Sequence, residues 1–309
     1  MFSQKLNARQ LLIPFLFILP AVTILVVGLI VPVGNAMYLS FFDWDLGTKW
    51  ETAEFLALEN YQRMWADETV RKSVWVTLQY TFWTTLLEMI TGIGLALALE
   101  KPIRGASIFR TIFILPLMIS PLVVGLIWRY MLDGRTGIIP HYVERIGEIA
   151  PALQDLGFVR HAYLAETELA LAAAIGVDVW QWTPFIFIII LAGLQGVPSD
   201  VINAAYIDGA NWWQMTIQVK LPMIRSLIIV TLLLRLVDVL RALEVLFVMT
   251  FGGPAQATEV LSVKIYKTAF AAQNLGYASA ISILLIGITL LVSIIILIYN
   301  NPMRQEGRS

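Results

Sequence analysis

Residues 203–223 have the sequence NAAYIDGANWWQMTIQVKLPM, which separates two long apolar runs. The segment combines amide, carboxylate and aromatic side chains with Gly209 and Pro222, so it interrupts the apolar pattern on both sides. A simple connector between two apolar helices needs neither adjacent tryptophans nor such an ordered polar pattern. We therefore interpret this segment as a docking surface.

The composition of the chain is typical of a membrane protein. Of the 309 residues, 58% are hydrophobic and 14% are charged, and the mean hydropathy is +0.76. A soluble domain of this length carries a more charged surface. The net charge of −1 does not indicate the positively charged surface that nucleic-acid binding requires.

Residue usage argues against a catalytic or metal centre. The chain has no cysteine, which excludes disulfides and thiolate ligands, and its two histidines, His141 and His161, lie in no motif. The sequence also lacks the phosphate-binding pattern G-x-x-x-x-G-K-[ST] and the HExxH and GxSxG patterns of hydrolases. We expect no catalytic residue, no metal and no cofactor on this chain.

Six apolar runs are long enough to cross a bilayer, for which a helix needs about 20 residues. Their approximate bounds are 11–33, 76–99, 112–132, 169–194, 227–247 and 278–299. The first run is too long for the apolar core of a signal peptide, and no small-residue cleavage site follows it. The sequence therefore predicts an all-α polytopic membrane protein with six transmembrane helices in one domain, residues 1–309.

Basic residues near the span ends predict the orientation. They occur before span one, between spans two and three, between spans four and five and after span six, as Lys5, Arg9, Lys101, Arg104, Arg110, Lys220, Arg225, Arg304 and Arg308. The opposite loops are more acidic. Because basic loops stay in the cytoplasm, we expect both termini and the loop 196–226 to be cytoplasmic.

Glycine and proline predict where the helices pack closely or break. Gly92 and Gly94 in span two would let a neighbouring helix approach. Pro116 and Pro121 predict a kink in span three. The sequence Phe251-Gly-Gly-Pro254 predicts the end of span five, and a short interfacial helix is expected after it.

The loop itself predicts two short helices joined at a sharp angle. Ser199 or Asp200 would cap a helix over 201–207, and Asp208-Gly209 would break it because glycine reaches positive φ freely. A second helix is predicted over 210–219 and would end at Leu221-Pro222. This geometry would expose Trp212, Trp213 and Ile217 for a groove on another protein.

This loop resembles the EAA loop of ABC importer permeases. The matching positions are Ala204, Ala205, Asp208, Gly209, Ala210, Leu221 and Pro222. The departures are Asn203 for the usual glutamate, Thr216 for phenylalanine, Val219 for isoleucine and Ser226 for a frequent proline. The first departure puts an ion pair from that position in doubt, but the helix–glycine–helix geometry is unaffected.

Segments along nearly the whole chain resemble the carbohydrate branch of the same family, the maltose and glycerol-phosphate type. In order, they are Val31-Pro-Val-Gly34, Tyr38-Leu-Ser-Phe-Phe-Asp43, Glu59-Asn-Tyr61, Trp180-Gln-Trp-Thr-Pro-Phe185, Ala192-Gly-Leu-Gln195, Gly252-Gly-Pro254 and Leu275-Gly-Tyr-Ala-Ser-Ala280. The resemblance implies the transmembrane domain of a type I ABC importer. It also implies a sugar, oligosaccharide or glycerol-phosphate-like solute.

The resemblance further implies the mechanism and the partners. Asn203, Trp212 and Trp213 would join the matching positions in a coupling helix that sits in a cleft of a cytoplasmic ATPase, where ATP and Mg are bound. Two ATPase copies, a second permease and an extracytoplasmic solute-binding protein would complete the complex. The second permease is expected to be a different chain, although a homodimer stays open. The location would be the inner membrane of a bacterium or archaeon.

Charged residues inside the spans have two interpretations. Arg235, Asp238, Arg241 and Glu244 recur every three residues in span five, so they could form a salt-bridged packing seam or part of the solute path. The seam is slightly favoured because the alternating charges cancel. Glu88 and Asp178 have the same two interpretations. Asp178 with Trp180, Gln181 and Trp182 could bind a sugar, or it could be an interhelical patch.

Other functional classes also make distinguishable predictions. An intramembrane enzyme using Glu88 or Asp178 would turn over a substrate without an ATPase, but the chain lacks a nucleophile–base pair. An ion-coupled secondary transporter would be expected to show an inverted repeat, and none is visible. A permease of the same superfamily for a non-carbohydrate solute is the third alternative.

Overall fold

The computed structural model describes residues 8–100, 105–150, 154, 157 and 159–299, and within them the chain is almost entirely helical. The α-helices are α1 Ala8–Leu25, α2 Val31–Leu39, α3 Glu59–Ala66, α4 Glu68–Ala98, α5 Ala106–Ile114, α6 Pro121–Met131, α7 Ile138–Ile149, α8 Thr167–Gln195, α9 Ser199–Ile207, α10 Trp212–Gln214, α11 Leu221–Met223, α12 Arg225–Leu240, α13 Glu244–Thr250, α14 Leu261–Tyr266 and α15 Leu275–Tyr299. The strands β1 Phe42–Asp43 and β2 Glu54–Phe55 form a small antiparallel hairpin.

Among the described residues, four helices are long and apolar enough to cross a membrane: Leu16–Leu39, Glu68–Ala98, Thr167–Gln195 and Leu275–Ile298. A fifth results if the bent pair Ile108–Met118 and Pro121–Met131 counts as one span. These helices coincide with the predicted spans one, two, four, six and three. Helix α4 begins about two turns earlier than predicted, because the Asp67 side chain accepts the Thr69 N–H and caps it there.

The predicted kink in span three is confirmed as a sharp bend. Helix α5 continues into a 3₁₀ turn over Leu115–Met118, and α6 starts with Pro121 in its first turn. The two parts meet at 98°. Proline favours the first turn of a helix because its missing N–H would be unsatisfied there anyway.

Span five is not the continuous helix that the apolar run 227–247 suggested. Helix α12 ends at Leu240, and α13 begins at Glu244, although neither glycine nor proline lies between them. The Ser262 hydroxyl donates to the carbonyl of Ala242 in the break. A break at membrane depth is tolerated where other parts of the protein satisfy the freed backbone groups.

The described residues form two compact units, one within residues 8–66 and 265–284 and the other within residues 67–264 and 285–299. In the first unit, the Asn60 side chain donates to the carbonyls of Ser40 and Phe42 at 3.0 and 2.9 Å. A Cβ at Gly276 would lie 2.0 Å from the Phe42 carbonyl oxygen, so only glycine allows this approach. These contacts fix the chain around the hairpin.

The core of the second unit is the packing of α4 against α8. A Cβ at Gly92 would lie 2.6 Å from the Ile186 side chain, whereas nothing lies within 4 Å of one at Gly94. The predicted close approach is thus confirmed for Gly92 only. Apolar residues of both helices surround this contact, including Ala96, Phe187 and Ile190. Both helices also carry buried polar side chains, Glu88 on α4 and Asp178 on α8.

Candidate solute path and coupling segment

Helices α4, α8 and α12 bring three charged side chains together in the interior of the second unit. Arg235 donates to both carboxylate oxygens of Glu88, with Nε–Oε2 and Nη2–Oε1 distances of 2.8 and 2.7 Å. Both side chains are almost fully buried, at 2% and 0% exposure. Asp178 Oδ2 lies 3.6 Å from Arg235 Nη2, beyond hydrogen-bond distance. A planar guanidinium that meets a carboxylate with two bonds is the strongest form of such a pair.

The interior pair continues into the ladder that the sequence predicted along span five. Asp238 accepts from Arg235 at 2.7 Å and from Arg241 at 3.1 Å. Glu244 does not extend the ladder, because the helix breaks before it and it forms no ion pair with a described residue. The first three charges therefore form a seam, which Arg235 extends to Glu88 on another helix. We name the cluster of Glu88, Asp178, Arg235, Asp238 and Arg241 the interior charge cluster.

A cavity of about 310 Å³ lies beside this cluster. Its lining residues are Tyr80, Pro121, Asp178, Trp182, Asp238, Val239, Arg241, Ala242, Leu243, Glu244 and Val245. The Tyr80 hydroxyl and Asp178 Oδ2 are buried, and neither has a hydrogen-bond partner among the described residues. Asp178 Oδ2 still faces the Arg235 guanidinium at 3.6 Å, and the Tyr80 hydroxyl interacts with Asp178, so both polar groups border the cavity within one polar network.

The four residues of the predicted sugar patch on α8 separate onto different faces. Trp182 lines the cavity, and the Arg235 guanidinium carbon lies 4.5 Å from the centre of its ring. Gln181 is buried, donates to the Ile119 carbonyl at 3.0 Å and leaves its Oε1 without a partner among the described residues. Trp180 packs against Trp128 instead, with ring centroids 5.4 Å apart. Residues four apart share a helix face, whereas residues two apart do not.

A second, mostly apolar cavity of about 540 Å³ adjoins the first. It extends to Phe185, Leu234, Ser293 and Leu297, and it shares Trp182, Asp238 and Arg241 with the first cavity. These three side chains border both cavities.

Sequence reasoning did not single out Tyr80. It lies eight residues before Glu88 on α4, and the side chains of Ser73, Thr77, Thr81 and Thr84 are also buried on that helix. This polar stripe in an otherwise apolar helix is the signal that could have identified it.

Residues 196–226, here named the coupling segment, form the two-part helical structure that was predicted. Helix α9 ends at Ile207, and Gly209 has φ = +81°, in the left-handed region that glycine reaches without strain. Asn211 then caps the next helix: its Oδ1 accepts the Gln214 N–H, and the Gln214 side chain accepts the Asn211 N–H, at 2.9 and 2.8 Å. This reciprocal capping box fixes where the second helix begins.

Three details of that prediction are wrong. Neither Ser199 nor Asp200 caps α9, since Ser199 is already its first residue and the capping position is Pro198. The second helix begins at Trp212 rather than at residue 210. Leu221-Pro222 does not end it, because a π turn over Met215–Lys220 leads directly into α11. The Leu221 N–H bonds the Thr216 carbonyl across this wider turn, which accommodates Pro222 in the following turn.

The coupling segment has an exposed aromatic and aliphatic face. Ile207 is 85% exposed and Trp213 is 66% exposed, and Tyr206, Trp212 and Ile217 are also exposed. On the opposite face, Met215, Thr216 and Lys220 are buried. The exposure of Trp212, Trp213 and Ile217 agrees with the prediction. Exposed tryptophans of this kind are characteristic of protein–protein contact sites.

Comparisons with known proteins agree with this geometry. Residues 90–305 match the family described as the binding-protein-dependent transport system inner membrane component. The probable ABC transporter permease protein y4oQ of Sinorhizobium fredii is 33% identical, over 90% of this chain and 86% of that protein. The trehalose/maltose transport system permease protein MalF of Thermococcus litoralis is 32% identical, over 96% of both chains.

A similar fold has been solved. A chain in the crystal structure of a bacterial alginate ABC transporter, in complex with a periplasmic protein bound to an alginate pentasaccharide, has a TM-score of 0.79. The alignment covers 94% of both chains at 21% identity, so it supports the fold alone.

Proposed function

The chain belongs to the binding-protein-dependent transport inner membrane component family, so it is a permease subunit of an ABC importer rather than an enzyme, and we propose that it imports an uncharged sugar or oligosaccharide by alternating access. The observation that carries this proposal is the cavity of about 310 Å³, into which Tyr80, Asp178 and Trp182 project. A phenol hydroxyl and a carboxylate beside an indole ring suit the hydroxyls and the C–H face of a sugar.

The charges around the cavity favour an uncharged solute over a glycerol-phosphate-like one. Among the described residues, the lining contains three carboxylates, Asp178, Asp238 and Glu244, and one cation, Arg241. A phosphate site needs an excess of arginine, lysine or backbone N–H donors. The relative named as a trehalose/maltose permease, aligned over 96% of this chain, supports the same class.

The candidate path residues have different proposed roles. Asp178, Gln181 and Trp182 would contact the solute, together with Tyr80. Asp238, Arg241 and Glu244 would form the gate beside the helix break. Arg235 would hold α12 to α4 through Glu88 and to α8 through Asp178. Trp180 would be a packing residue.

The proposed topology has six spans in a single permease domain, residues 1–309. Helices α5 and α6 would form span three, and α12 and α13 would form the broken span five. Both termini and the coupling segment would be cytoplasmic, in the inner membrane of a bacterium or archaeon. The positive-inside rule supports this orientation, although Lys5, Lys101, Arg104, Arg304 and Arg308 lie outside the described residues.

The coupling segment would dock on the ATPase partner. Its proposed contact and shape-determining residues are Asn203, Ala204, Ala205, Asp208, Gly209, Ala210, Trp212, Trp213, Leu221 and Pro222. Two ATPase copies would bind ATP and Mg, and a second, different permease and an extracytoplasmic solute-binding protein would complete the importer. Closure of the ATPases would move the segment, and the helices would carry that movement to the cavity.

The test uses the complete complex in proteoliposomes with its binding protein. ATP hydrolysis and uptake are measured with maltose, trehalose, glycerol 3-phosphate and an amino acid. We expect stimulation by a neutral sugar and none by glycerol 3-phosphate. Stimulation by the amino acid or the phosphate ester alone would overturn the proposed solute class. Uptake or turnover without the ATPase would instead favour an ion-coupled transporter or an enzyme.

A further inference from the structure

The end of α4 meets the coupling segment through one ion pair. Lys220 Nζ donates to both carboxylate oxygens of Glu100, at 2.6 and 2.8 Å. The side chains are 7% and 17% exposed. Glu100 lies two residues beyond the last residue of α4, and Lys220 is the last residue of the π turn. The pair therefore joins positions 120 residues apart in the chain.

This pair differs from the surface pairs of the protein. Arg145–Glu148 has both side chains more than half exposed, so water screens it. Lys220–Glu100 is largely shielded, and one ammonium group bonds both oxygens. Breaking it by removing one partner leaves a poorly solvated charge. It therefore fixes one point of the segment to one point of the helix.

The position of the pair matters because α4 has no short covalent connection to the coupling segment. Helix α8 leads into the segment through Gly196, and α12 follows it at Arg225. Helix α4, by contrast, contributes Tyr80 to the cavity and Glu88 to the interior charge cluster. Apolar contacts near Ala96, Val197 and Ile224 also lie between these elements. Apolar contacts are non-directional, whereas the shielded Lys220 ammonium must keep its carboxylate partner because separating them leaves poorly solvated charges.

We propose that Lys220 is a positioning residue that transmits movement of the coupling segment to α4 through Glu100. This inference rests on the proposed role of the segment as the site where the ATPases act. When the segment moves, the ion pair pulls the end of α4 with α8 and α12. The three helices that hold the interior charge cluster then move together. The energy of ATP hydrolysis thereby drives solute movement.

The experiment measures ATP hydrolysed per solute imported by the complete complex in proteoliposomes. Lys220→Met and Glu100→Gln should each raise this ratio severalfold, because ATP hydrolysis then continues without the movement of α4. The charge swap of Lys220→Glu with Glu100→Lys should restore the ratio to within about twofold of the wild type, because the attraction is re-formed. Lys220→Arg should keep it near the wild-type value.

Lys264 provides a matched control near the other end of α4. Its Nζ donates to Thr69 Oγ1 at 2.6 Å and lies 3.7 Å from Glu259, again with little exposure. Lys264→Met should lower the melting temperature of the purified complex to a similar extent as Lys220→Met but leave the ratio unchanged. The proposal would be overturned if Lys220→Met and Lys264→Met gave equal ratios of ATP hydrolysed per solute imported. It would also be overturned if the charge-swap variant folded but did not restore the ratio.

A further variant separates this inference from the proposed function. If Gly209→Val raises the ratio and Lys220→Met does not, the segment couples the ATPases but the ion pair does not transmit. If neither variant raises it, the proposed role of the segment fails as well.

Discussion

The interior charge cluster and the coupling segment are built on opposite principles. The cluster joins residues of three helices, and its central pair, Arg235 with Glu88, spans 147 positions of the chain. The coupling segment is local: a glycine at positive φ and a capping box within four residues determine its shape. Glu88, Asp178 and Arg235 of the cluster are buried, whereas the segment exposes its aromatic side chains. The first therefore depends on the fold being complete, and the second on a few backbone positions.

This difference predicts different consequences of mutation. A change in the cluster should act mainly on the stability of the helix assembly, because a buried charge loses its partner. A change in the segment should leave the fold intact and alter the use of ATP. The variants below test that distinction, in order of decreasing effect.

The largest effect is expected from Arg235→Met. Removal of the guanidinium leaves Glu88 buried without its partner, and Asp238 keeps only Arg241. Breaking a buried pair in this way costs about 3–5 kcal/mol. We expect a much lower yield of folded protein and a much lower melting temperature in detergent. Thermal unfolding measures the melting temperature.

Two further variants control for Arg235→Met. Arg241→Gln removes a charge that is 71% exposed, so it should change the melting temperature little. Adding Glu88→Met to Arg235→Met should recover part of the stability, since Glu88 is then no longer buried without a partner, whereas Asp178 still lacks its cation. A double variant as unstable as the single one would show that the pair is not the source of the loss.

Gly209→Val should have the next largest effect, on coupling rather than on folding. A Cβ at Gly209 has no atom within 4 Å, so the cost comes from the backbone conformation and amounts to about 1–2 kcal/mol. We expect uptake to fall at least tenfold while ATP hydrolysis continues. Gly209→Asn is the matched control, because asparagine tolerates the left-handed region and should retain most uptake.

The same contrast explains what the sequence could predict. Helices α4, α8 and α15 follow from long apolar runs, because insertion into lipid depends on the local composition. The bend before α6 follows from its prolines. The break at 241–243 has no such signal, since neither glycine nor proline lies there and the freed Ala242 carbonyl accepts from Ser262, 20 residues further along the chain. The bond of Arg235 to Glu88 likewise could not be predicted from residue spacing, because the two residues lie on different helices.

In the coupling segment, by contrast, the wrongly predicted start of the second helix had a signal in the sequence. Asn211 and Gln214 stand at capping-box spacing ahead of the second helix, as the structure shows. The helix start could therefore have been assigned to Trp212 from sequence. The π turn that carries the helix past Pro222 could not, because proline alone usually indicates an end.

A smaller effect should distinguish the two tryptophans of α8. Trp182 lines the cavity and lies against Arg235, a cation–π contact worth about 0.5–2 kcal/mol, whereas Trp180 packs on Trp128. We expect Trp182→Ala to raise the solute concentration for half-maximal uptake severalfold. Trp180→Ala should lower only the melting temperature. A larger kinetic change for Trp180→Ala would move the solute path to the other face of α8.

The smallest effect is expected from Asn211→Ala, which removes the cap of the second helix at a cost of about 1 kcal/mol. Because the Gln214 side chain and the Asn211 backbone remain, the segment should fray at Trp212 but keep its turn at Gly209. We expect a twofold to fivefold loss of uptake and an unchanged melting temperature of the whole complex. Asn203→Ala is the matched control, because Asn203 is an exposed residue inside α9 and caps no helix. The Asn203→Ala variant should therefore fold as well as the wild type. If both asparagine variants lower uptake equally, the segment acts through its surface chemistry; if only Asn211→Ala does, its shape is what the ATPase recognises.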